Sequence, residues 1–268
     1  MSDFLKQMAA SSAERAASLT PFTSADFDKP LIGIEPQGFG IIAEIKDRSP
    51  AEGDLATPTS DRCVQARNYA QGGATAISVL TEPSRFAGAL EHVEEVVAAV
   101  PDTPVMRKDF LVDPLQVSEA RKAGASGVLL IATMLPQKSL RLMLDRAWEH
   151  RLFMLLECFG EDDMKRASRL LDNDADAERA RSGQLLVGVN TRNLRTLEVD
   201  SDRLQRLAPM LPDAFCVAES GLKQPADAGR AADWGYRMAL VGTALMRSDD
   251  PAALVAAMRA AGNARLAA

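Results

Sequence analysis

The amino-acid sequence predicts a (β/α)8 (TIM) barrel with an N-terminal helical extension. Short apolar runs with strand character alternate with longer amphipathic segments along most of the 268 residues. Strands that are apolar throughout are typical of a parallel sheet covered by helices. Eight such units in about 230 residues match the usual size of this barrel, about 250 residues. We therefore expect one barrel domain over residues 1–268, with residues 1–39 as an extension that caps it.

Each unit is predicted from its own apolar run and the helical segment after it. The strands are expected at residues 40–46, 74–81, 104–110, 127–132, 152–157, 185–190, 215–220 and 238–242. Helical patterns between them include residues 60–73, 89–100, 113–125 and 136–150. Asp113-Pro114 is typical of a helix start, and Gly72-Gly73 and Gly124 indicate helix ends. The competing open, doubly wound sheet usually has fewer strands and a G-x-G-x-x-G turn after the first one, which this sequence lacks.

Two segments stand outside the repeating units. Residues 3–18 predict a helix, followed by a looped connection to the first strand. Residues 166–184 are long and of mixed charge, and either extend the fifth helix or add a surface excursion. Neither segment carries a pattern that indicates chemistry.

Composition excludes several classes of protein. A net charge of −6 argues against general nucleic-acid binding, although a local basic pocket for a small anion remains open. The three cysteines Cys63, Cys158 and Cys216 are far apart and show no metal spacing, so we expect reduced thiols in or near the core. No signal peptide and no apolar stretch long enough for a membrane span are evident. We expect a soluble, cytoplasmic protein without metal or cofactor, as a monomer or weak homo-oligomer.

Polar residues follow most of the predicted strands, where barrel enzymes carry their active sites. A lone charge there is most simply a solvated loop residue, but ionisable groups after at least four apolar runs are costly unless paired or used. The set comprises Glu44, Lys46, Arg48 and Ser49 after strand 1; Arg107, Lys108 and Asp109 after strand 3; Glu157 after strand 5; Asn190 and Arg192 after strand 6; Glu219, Ser220 and Gly221 after strand 7; Gly242 and Thr243 after strand 8.

The residues of this set fall into two groups with different expected chemistry. Ser220-Gly221 and Gly242-Thr243 follow strands 7 and 8, the usual barrel position for a phosphate, and small residues let backbone N–H groups approach it. Ordinary tight turns are the alternative. Lysines and glutamates form a second, acid–base group, in which neighbouring ammonium groups are expected to lower each other's pKa and buried carboxyl groups to have a raised pKa. Schiff-base chemistry at a lysine is the rival mechanism. The only histidines, His92 and His150, fall in predicted helices away from the strand ends.

Several stretches together resemble the indole-3-glycerol phosphate synthase family, in order and from about residue 40 to about residue 250. They are AEIKDRSP, VLTEPSRFAGAL, PVMRKDFLVDPLQVSEARKAGASGVLLI, LLECFGEDD, VGVNTRNLRTLEVD, ESGL and LVGTALMR. The resemblance implies a barrel enzyme of tryptophan biosynthesis that needs no metal or organic cofactor. It also implies conversion of 1-(2-carboxyphenylamino)-1-deoxyribulose 5-phosphate to indole-3-glycerol phosphate, carbon dioxide and water.

The same resemblance implies roles for individual residues. Lys108 is the expected general acid in ring closure, and Glu157 the acid–base partner in dehydration. Lys46 is expected to meet the substrate carboxylate, with Glu44 orienting the lysines. The remaining expected contacts are Ser49, Arg48, Asn190, Arg192 and Glu219 for substrate, Phe86 and Phe110 for the aromatic ring, and Ser220, Gly221, Gly242 and Thr243 for phosphate.

The chain departs from the family pattern in places. Ala-Glu-Gly follows Pro50 where the family commonly has small and basic residues, and ECFGEDD replaces a histidine-bearing stretch. The first 39 residues match poorly. Two alternatives therefore stay open: another sugar-phosphate barrel enzyme of the aldolase or isomerase type, and a repurposed paralogue that binds a phosphorylated ligand.

Overall fold

The computed structural model is a closed barrel of eight parallel strands, which confirms the predicted fold class. It describes residues 2–55, 61–193, 196, 198–200 and 202–267. The barrel strands are β1 Gly40–Ile45, β2 Ala76–Leu80, β3 Val105–Lys108, β4 Gly127–Ile131, β5 Phe153–Cys158, β6 Leu185–Asn190, β7 Phe215–Glu219 and β8 Met238–Val241. All eight predicted strands are present within two residues of their predicted bounds. Strand β3 ends at Lys108 and leaves Asp109 and Phe110 in the following loop.

The helices surround the barrel. They are α1 Asp3–Ala17, α2 Arg62–Gln71, α3 Pro83–Phe86, α4 Glu91–Ala99, α5 Pro114–Lys122, α6 Gln137–Glu149, α7 Glu161–Leu170, α8 Asp174–Arg181, α9 Arg203–Leu207, α10 Pro225–Asp233, α11 Thr243–Met246 and α12 Pro251–Leu266. Asp113 caps α5 as predicted, because its carboxylate accepts the N–H of Leu115. The segment 166–184 does not form one extended helix: α7 ends at Leu170, and α8 is a separate helix.

Helix α8 is tied to the barrel by a buried carboxylate. Asp176 is 1% exposed, and its oxygens face the guanidinium groups of Arg141 and Arg179 and the indole N–H of Trp148. These contacts hold α8 against α6. The surface segment therefore has a structural anchor on the side of the barrel wall.

The strand register decides which side chains face the barrel interior. Residues paired across neighbouring parallel strands point to the same face. Glu44 pairs with Ser78, Leu80 with Lys108, Ile131 with Glu157, Asn190 with Glu219, and Glu219 with Leu240. Residues of the opposite parity, such as Ile41, Ile77 and Val189, are fully buried beneath the helices. One row of side chains thus supplies the site and the next supplies the core.

The N-terminal helix α1 packs on the barrel through an apolar face that includes the buried residues Leu5 and Met8. The Arg15 guanidinium forms two hydrogen bonds of 2.8 Å to the Asp109 carboxylate, just beyond β3. The predicted helix 3–18 is therefore present and attached to the end of the barrel that carries the site. Within the described residues, no helix is long and apolar enough to cross a membrane.

Candidate active site

A cavity of about 690 Å³ opens at the carboxyl ends of the strands. This volume suits a small-molecule ligand. All of the predicted site residues except Arg48 line the cavity. They come from both sequence-predicted groups, so the acid–base residues and the small residues after β7 and β8 share one space.

Glu44, Lys46 and Lys108 form an ion-paired cluster in this cavity. The Lys46 ammonium donates to Oε1 of Glu44 at 2.6 Å, and Nζ of Lys108 lies 3.2 Å from the other oxygen, Oε2. Only 4% of the Glu44 side chain is exposed, against 11% for Lys46 and 18% for Lys108. One carboxylate therefore orients both lysines toward the open part of the cavity.

The electrostatics of the cluster differ from the sequence-based expectation. Burial disfavours the ionised Glu44, but Lys108 and Lys46 together hold its pKa at about 2. Burial also opposes a charge on Lys108, yet the nearby carboxyl groups of Glu44, Glu157 and Glu219 raise its pKa. The expectation that neighbouring ammonium groups lower the lysine pKa is wrong for Lys108, because three carboxyl groups outweigh the second cation.

Glu157 and Glu219 carry the raised pKa that was expected for carboxyl groups in this site. Burial is the main cause for both, and mutual repulsion adds to it for Glu219. The Glu157 carboxyl group accepts a 2.9 Å hydrogen bond from Nδ2 of Asn190. Neither oxygen of Glu219 has a hydrogen-bond partner among the described residues, although both are buried.

The charge balance of the cluster indicates where a proton lies. With Glu44 ionised and Lys46 and Lys108 protonated, one further carboxylate gives a neutral cluster. Glu157 is the better stabilised anion, because it has the Asn190 hydrogen bond and the field of Lys108. Of the two carboxyl groups, Glu219 is therefore the one whose surroundings favour the protonated form more strongly.

The loops after β7 and β8 form the other end of the cavity. Ser220 and Gly221 both have positive φ, +66° and +78°, a left-handed turn that is costly for the serine. Helix α11 starts at Thr243, directly after Gly242. A Cβ atom built on Gly242 would overlap Oε1 of Glu44 and come 2.9 Å from Nζ of Lys46. Glycine at this position lets the loop after β8 lie directly beside the cluster of Glu44, Lys46 and Lys108.

Aromatic residues form one wall at the cavity mouth. The rings of Phe86 and Phe110 have centroids 6.1 Å apart, and Phe4 of α1 meets Phe110 edge-on at 5.7 Å. Glu82 fixes the segment that presents Phe86, because its carboxylate caps α3 through the N–H groups of Ser84 and Arg85. The wall is thus built from three separate parts of the chain.

Arg48 is the predicted residue that the structure does not bring to the site. Strand β1 ends at Ile45, so the alternation that places Glu44 and Lys46 inside does not extend to residue 48. The Arg48 side chain is 49% exposed and donates from Nε to Asp54 at 2.7 Å, across the short hairpin Arg48–Ser49 and Gly53–Asp54. Arg48 therefore lies outside the cavity, whereas Ser49 is buried and lines it.

Several lining residues were not predicted. The apolar parts of the wall are formed by Leu80, Leu129, Ile131 and Leu240. Alternate residues of a strand share a face, so the positions in β2, β4 and β8 that face inward could have been predicted from the alternation. Other unpredicted lining residues are Phe4, Glu52, Lys223 and Arg247, which lie on separate helices and loops. Glu52 and Arg247 form an ion pair of 2.8 Å. His92 and His150 lie in α4 and at the end of α6, away from the cavity.

The described part of the chain contains no group of three or more His, Cys, Asp or Glu residues arranged to hold a metal ion. The cavity lining instead includes a cluster of ionisable and amide side chains at the mouth of a barrel, Glu44, Lys46, Lys108, Glu157, Asn190 and Glu219. Fold and site together define a (β/α)8-barrel enzyme whose own side chains offer acid–base chemistry.

Comparison with known proteins identifies the particular family. The family profile for indole-3-glycerol phosphate synthase matches residues 5–258. Curated proteins of that name are similar: one from a Nocardioides species is 45% identical over 251 residues and 91% of both chains. Another, from Mycobacterium leprae, is 42% identical over 233 residues, covering 87% of this chain and 80% of the relative. The chain belongs to the indole-3-glycerol phosphate synthase family and is a decarboxylating lyase of tryptophan biosynthesis.

Solved structures with low sequence identity share the fold. The 3-hexulose-6-phosphate synthase of Salmonella typhimurium aligns with a TM-score of 0.64 at 16% identity, over 84% of this chain and 99% of the other. Tryptophan synthase subunit alpha of Legionella pneumophila aligns with a TM-score of 0.58 at 14% identity, over 98% of this chain and 100% of the other.

The family match begins at residue 5, so it also includes most of α1, where the sequence alone shows little resemblance.

Proposed function

We propose that this cavity converts 1-(2-carboxyphenylamino)-1-deoxyribulose 5-phosphate to indole-3-glycerol phosphate, with Lys108 and Glu157 as the central acid–base pair. The observation that carries the proposal is the cluster of Glu44, Lys46 and Lys108 facing Glu157, in one cavity with the small-residue loops after β7 and β8. Ring closure, decarboxylation and dehydration each need charge or protons handled at that position.

Ring closure requires an acid at the substrate carbonyl. The ring carbon that bears the carboxylate attacks the ketone carbon, and the carbonyl oxygen becomes a hydroxyl group as it takes a proton. Lys108 suits this step, because its raised pKa keeps the ammonium protonated and Glu44 fixes its position. Loss of carbon dioxide then returns the bonding electrons to the ring and restores aromaticity.

Dehydration requires an acid for the departing hydroxyl group and a base for a proton on the adjacent ring carbon. Glu157 is the proposed acid–base partner in this step, oriented by Asn190. Glu219 contacts the intermediate and holds the proton that the neutral cluster retains. Lysine and glutamate reach the substrate from different strands, β3 and β5, and so from different directions.

The substrate's charged groups define its orientation. We assign its phosphate to Ser220, Gly221, Gly242 and Thr243, and its carboxylate to Lys46. Arg192, Asn190 and Ser49 are proposed as further polar contacts, with Phe86 and Phe110 beside the anthranilate ring. Phe4, Lys223 and Arg247 line the same cavity and join this set as candidates.

Direct turnover tests the proposed reaction. The purified protein is supplied with the carboxyphenylamino-deoxyribulose phosphate, and indole fluorescence is followed from about pH 6 to about pH 9. We expect indole formation with release of one carbon dioxide for each product. A folded protein that gives no signal across this range would refute the proposal.

Schiff-base chemistry at Lys108 or Lys46 is the alternative mechanism. An imine-forming lysine needs a neutral amine and usually a lowered pKa, whereas the pKa of Lys108 is raised. Borohydride added during turnover should therefore leave the protein mass unchanged. A reduced adduct on either lysine would favour the aldolase-type mechanism.

Location and assembly stay predictions from the sequence. We propose a cytoplasmic enzyme that acts as a monomer or weak homo-oligomer and binds no nucleic acid. Sedimentation of the purified protein over a range of concentrations tests the assembly state, and cell fractionation tests the location.

A further inference from the structure

Gly188 lies in the middle of β6, directly beside the site. It pairs with Glu157 of β5 on one side and with Val217 of β7 on the other, and so faces the barrel interior. Its φ is not in the left-handed region, so the backbone itself does not require glycine here. The reason for a glycine must lie in what occupies the space above it.

That space is filled by the carboxyl group of Glu219. A Cβ atom built on Gly188 would overlap Oε1 of Glu219, and would lie 3.1 Å from its Cδ and 3.1 Å from Cδ1 of Leu155. The carboxyl group thus occupies a recess that exists only because residue 188 has no side chain. In this recess neither carboxyl oxygen has a hydrogen-bond partner among the described residues, and Glu219 is 1% exposed.

We propose that Gly188 is a positioning residue for the reaction, because it provides the recess that keeps the Glu219 carboxyl group buried beside Glu157 and without a hydrogen-bond partner among the described residues. This inference rests on the proposed function, since it concerns an acid of that same site. Gly242 has the same relation to Glu44 from the other side of the barrel. A glycine within β6 and a glycine directly after β8 therefore each make room for a carboxyl group from a neighbouring strand.

The charged groups around Glu219 determine what would happen if the recess were filled. Glu157 faces it from β5, Lys108 from β3 and Glu44 from β1, and Lys46 lies in the same cavity. Asn190 lies beside it in β6, and Leu240, Val241 and Gly242 line the cavity on the side of β8. A methyl group at position 188 would push the carboxyl group out of its recess toward the lysines and the open cavity. Both changes favour the carboxylate, so Glu219 would lose its proton at lower pH.

Gly188→Ala is the direct test, with Gly40→Ala as its matched control. Gly40 also faces the interior, but at the amino end of β1, where an added Cβ meets the side chains of Met238 and Thr75 rather than a site residue. We expect Gly188→Ala to lower kcat at neutral pH by about tenfold or more, with KM within about threefold. Its basic limb of activity should move to lower pH, by about one pH unit or more, while that of Gly40→Ala stays in place.

The pH shift must depend on Glu219 if the proposal is right. In a Glu219→Gln background the side chain cannot titrate, so adding Gly188→Ala should shift the remaining activity profile no further. A shift that persists in the double variant would overturn the proposal, as would an unshifted profile in Gly188→Ala itself.

An infrared measurement tests the inference without turnover. The protonated Glu219 should give a carboxylic C=O stretching band that Glu219→Gln lacks. In Gly188→Ala this band should disappear at lower pH than in the parent protein, and an unchanged titration would overturn the proposal. If the parent protein makes no indole, the proposed function fails while the infrared result still decides the role of Gly188.

A second variant covers the case in which Gly188→Ala does not fold. Glu219→Asp shortens the acidic side chain, so the recess has room for the added methyl group in the combined variant Gly188→Ala/Glu219→Asp. Recovered folding would identify the overlap with the Glu219 carboxyl group as the cause of misfolding. Continued failure would overturn the proposal.

Discussion

The two faces of the segment Arg107–Lys108–Asp109 carry two charge clusters of opposite character. Lys108 points into the barrel, where it meets Glu44 and the buried carboxyl groups of Glu157 and Glu219. Arg107 points to the other side of the wall, and Asp109, which also borders the cavity, follows in the loop after β3. There the Asp109 carboxylate accepts hydrogen bonds from Arg15, Arg107, the Thr81 hydroxyl and the Phe110 N–H.

The difference between the clusters is the degree of hydrogen-bond satisfaction. In the outer cluster of Arg15, Arg107 and Asp109 every charged group has a partner of opposite charge, although Nε of Arg15 has no hydrogen-bond partner among the described residues. Burial opposes ionisation of Asp109, but Arg15 and Arg107 hold its pKa at about 2. In the inner cluster, which comprises Glu44, Lys46, Lys108, Glu157 and Glu219, the Glu219 carboxyl group has no donor among the described residues, and burial raises its pKa. Adjacent residues thus belong to different clusters, because strand alternation separates Arg107 from Lys108.

Lys108→Ala should have the largest effect on activity. Loss of a positioned acid typically lowers turnover by about 10²–10⁴-fold, and Glu157→Gln should lose about 10²-fold or more for the same reason. Steady-state indole formation measures both. Lys165→Ala, on the exposed face of α7, is the matched lysine control. Losses of only a few-fold would contradict the assigned roles.

Asp109→Asn should disrupt the outer cluster and mainly lower the free energy of unfolding. Removing one member of a buried ion pair costs about 3–5 kcal/mol, and we expect about 3 kcal/mol because Arg15 reaches solvent. Urea unfolding measures the loss. A decrease in kcat as large as that of Lys108→Ala, with unchanged stability, would abolish the distinction between the two faces.

The same variant has a defined pH signature. The folded pKa of Asp109 is about 2, below the usual unfolded value of about 3.9. The contribution of Asp109 to the free energy of unfolding is therefore complete above the unfolded pKa and is lost as pH falls through the folded pKa. Between about pH 4 and about pH 2 the parent protein should lose stability that Asp109→Asn never had. Parallel curves for both proteins over that window would contradict the pairing.

The fold could be predicted from the sequence because each barrel strand is a short apolar run followed by a clear turn. At β3 the predicted strand runs two residues too far, because Asp109 and Phe110 belong to the following loop. Helix α8 was not predicted as a separate element, since its attachment depends on Asp176 meeting Arg141 from α6. Such a contact between distant segments leaves no periodic signal in the sequence.

The site could be predicted in part for the same reason. Glu44, Lys108 and Glu157 follow from strand parity, but Arg48 does not, because β1 ends before it. Phe4 was missed because nothing in the sequence shows that α1 docks beside Phe110. The direction of the Lys108 pKa was also missed, since it depends on how many carboxyl groups converge from other strands.

Glu44→Gln tests the inner cluster by removing one charge while keeping a side chain of the same shape. Glutamine keeps the shape of the side chain but removes the charge that most strongly favours the Lys108 ammonium against its burial. The pKa of Lys108 should therefore fall, and the basic limb of the activity profile should move to lower pH. We expect a loss of about tenfold at neutral pH. A profile identical to that of the parent enzyme would show that Glu44 does not control Lys108.

Arg15→Ala should have the smallest effect and connect the two clusters. The Arg15 guanidinium is 28% exposed, and Asp109 keeps Arg107 and Thr81 as partners, so the cost in stability should be about 1 kcal/mol. The same change loosens α1, which carries Phe4 at the cavity mouth. KM should therefore rise a few-fold while kcat stays nearly constant, as measured by steady-state kinetics. Lys6→Ala, at an exposed position on the same helix, is the control and should leave both constants unchanged. A fall in kcat without a change in KM would mean that the outer cluster acts on Lys108 itself rather than on the mouth of the cavity.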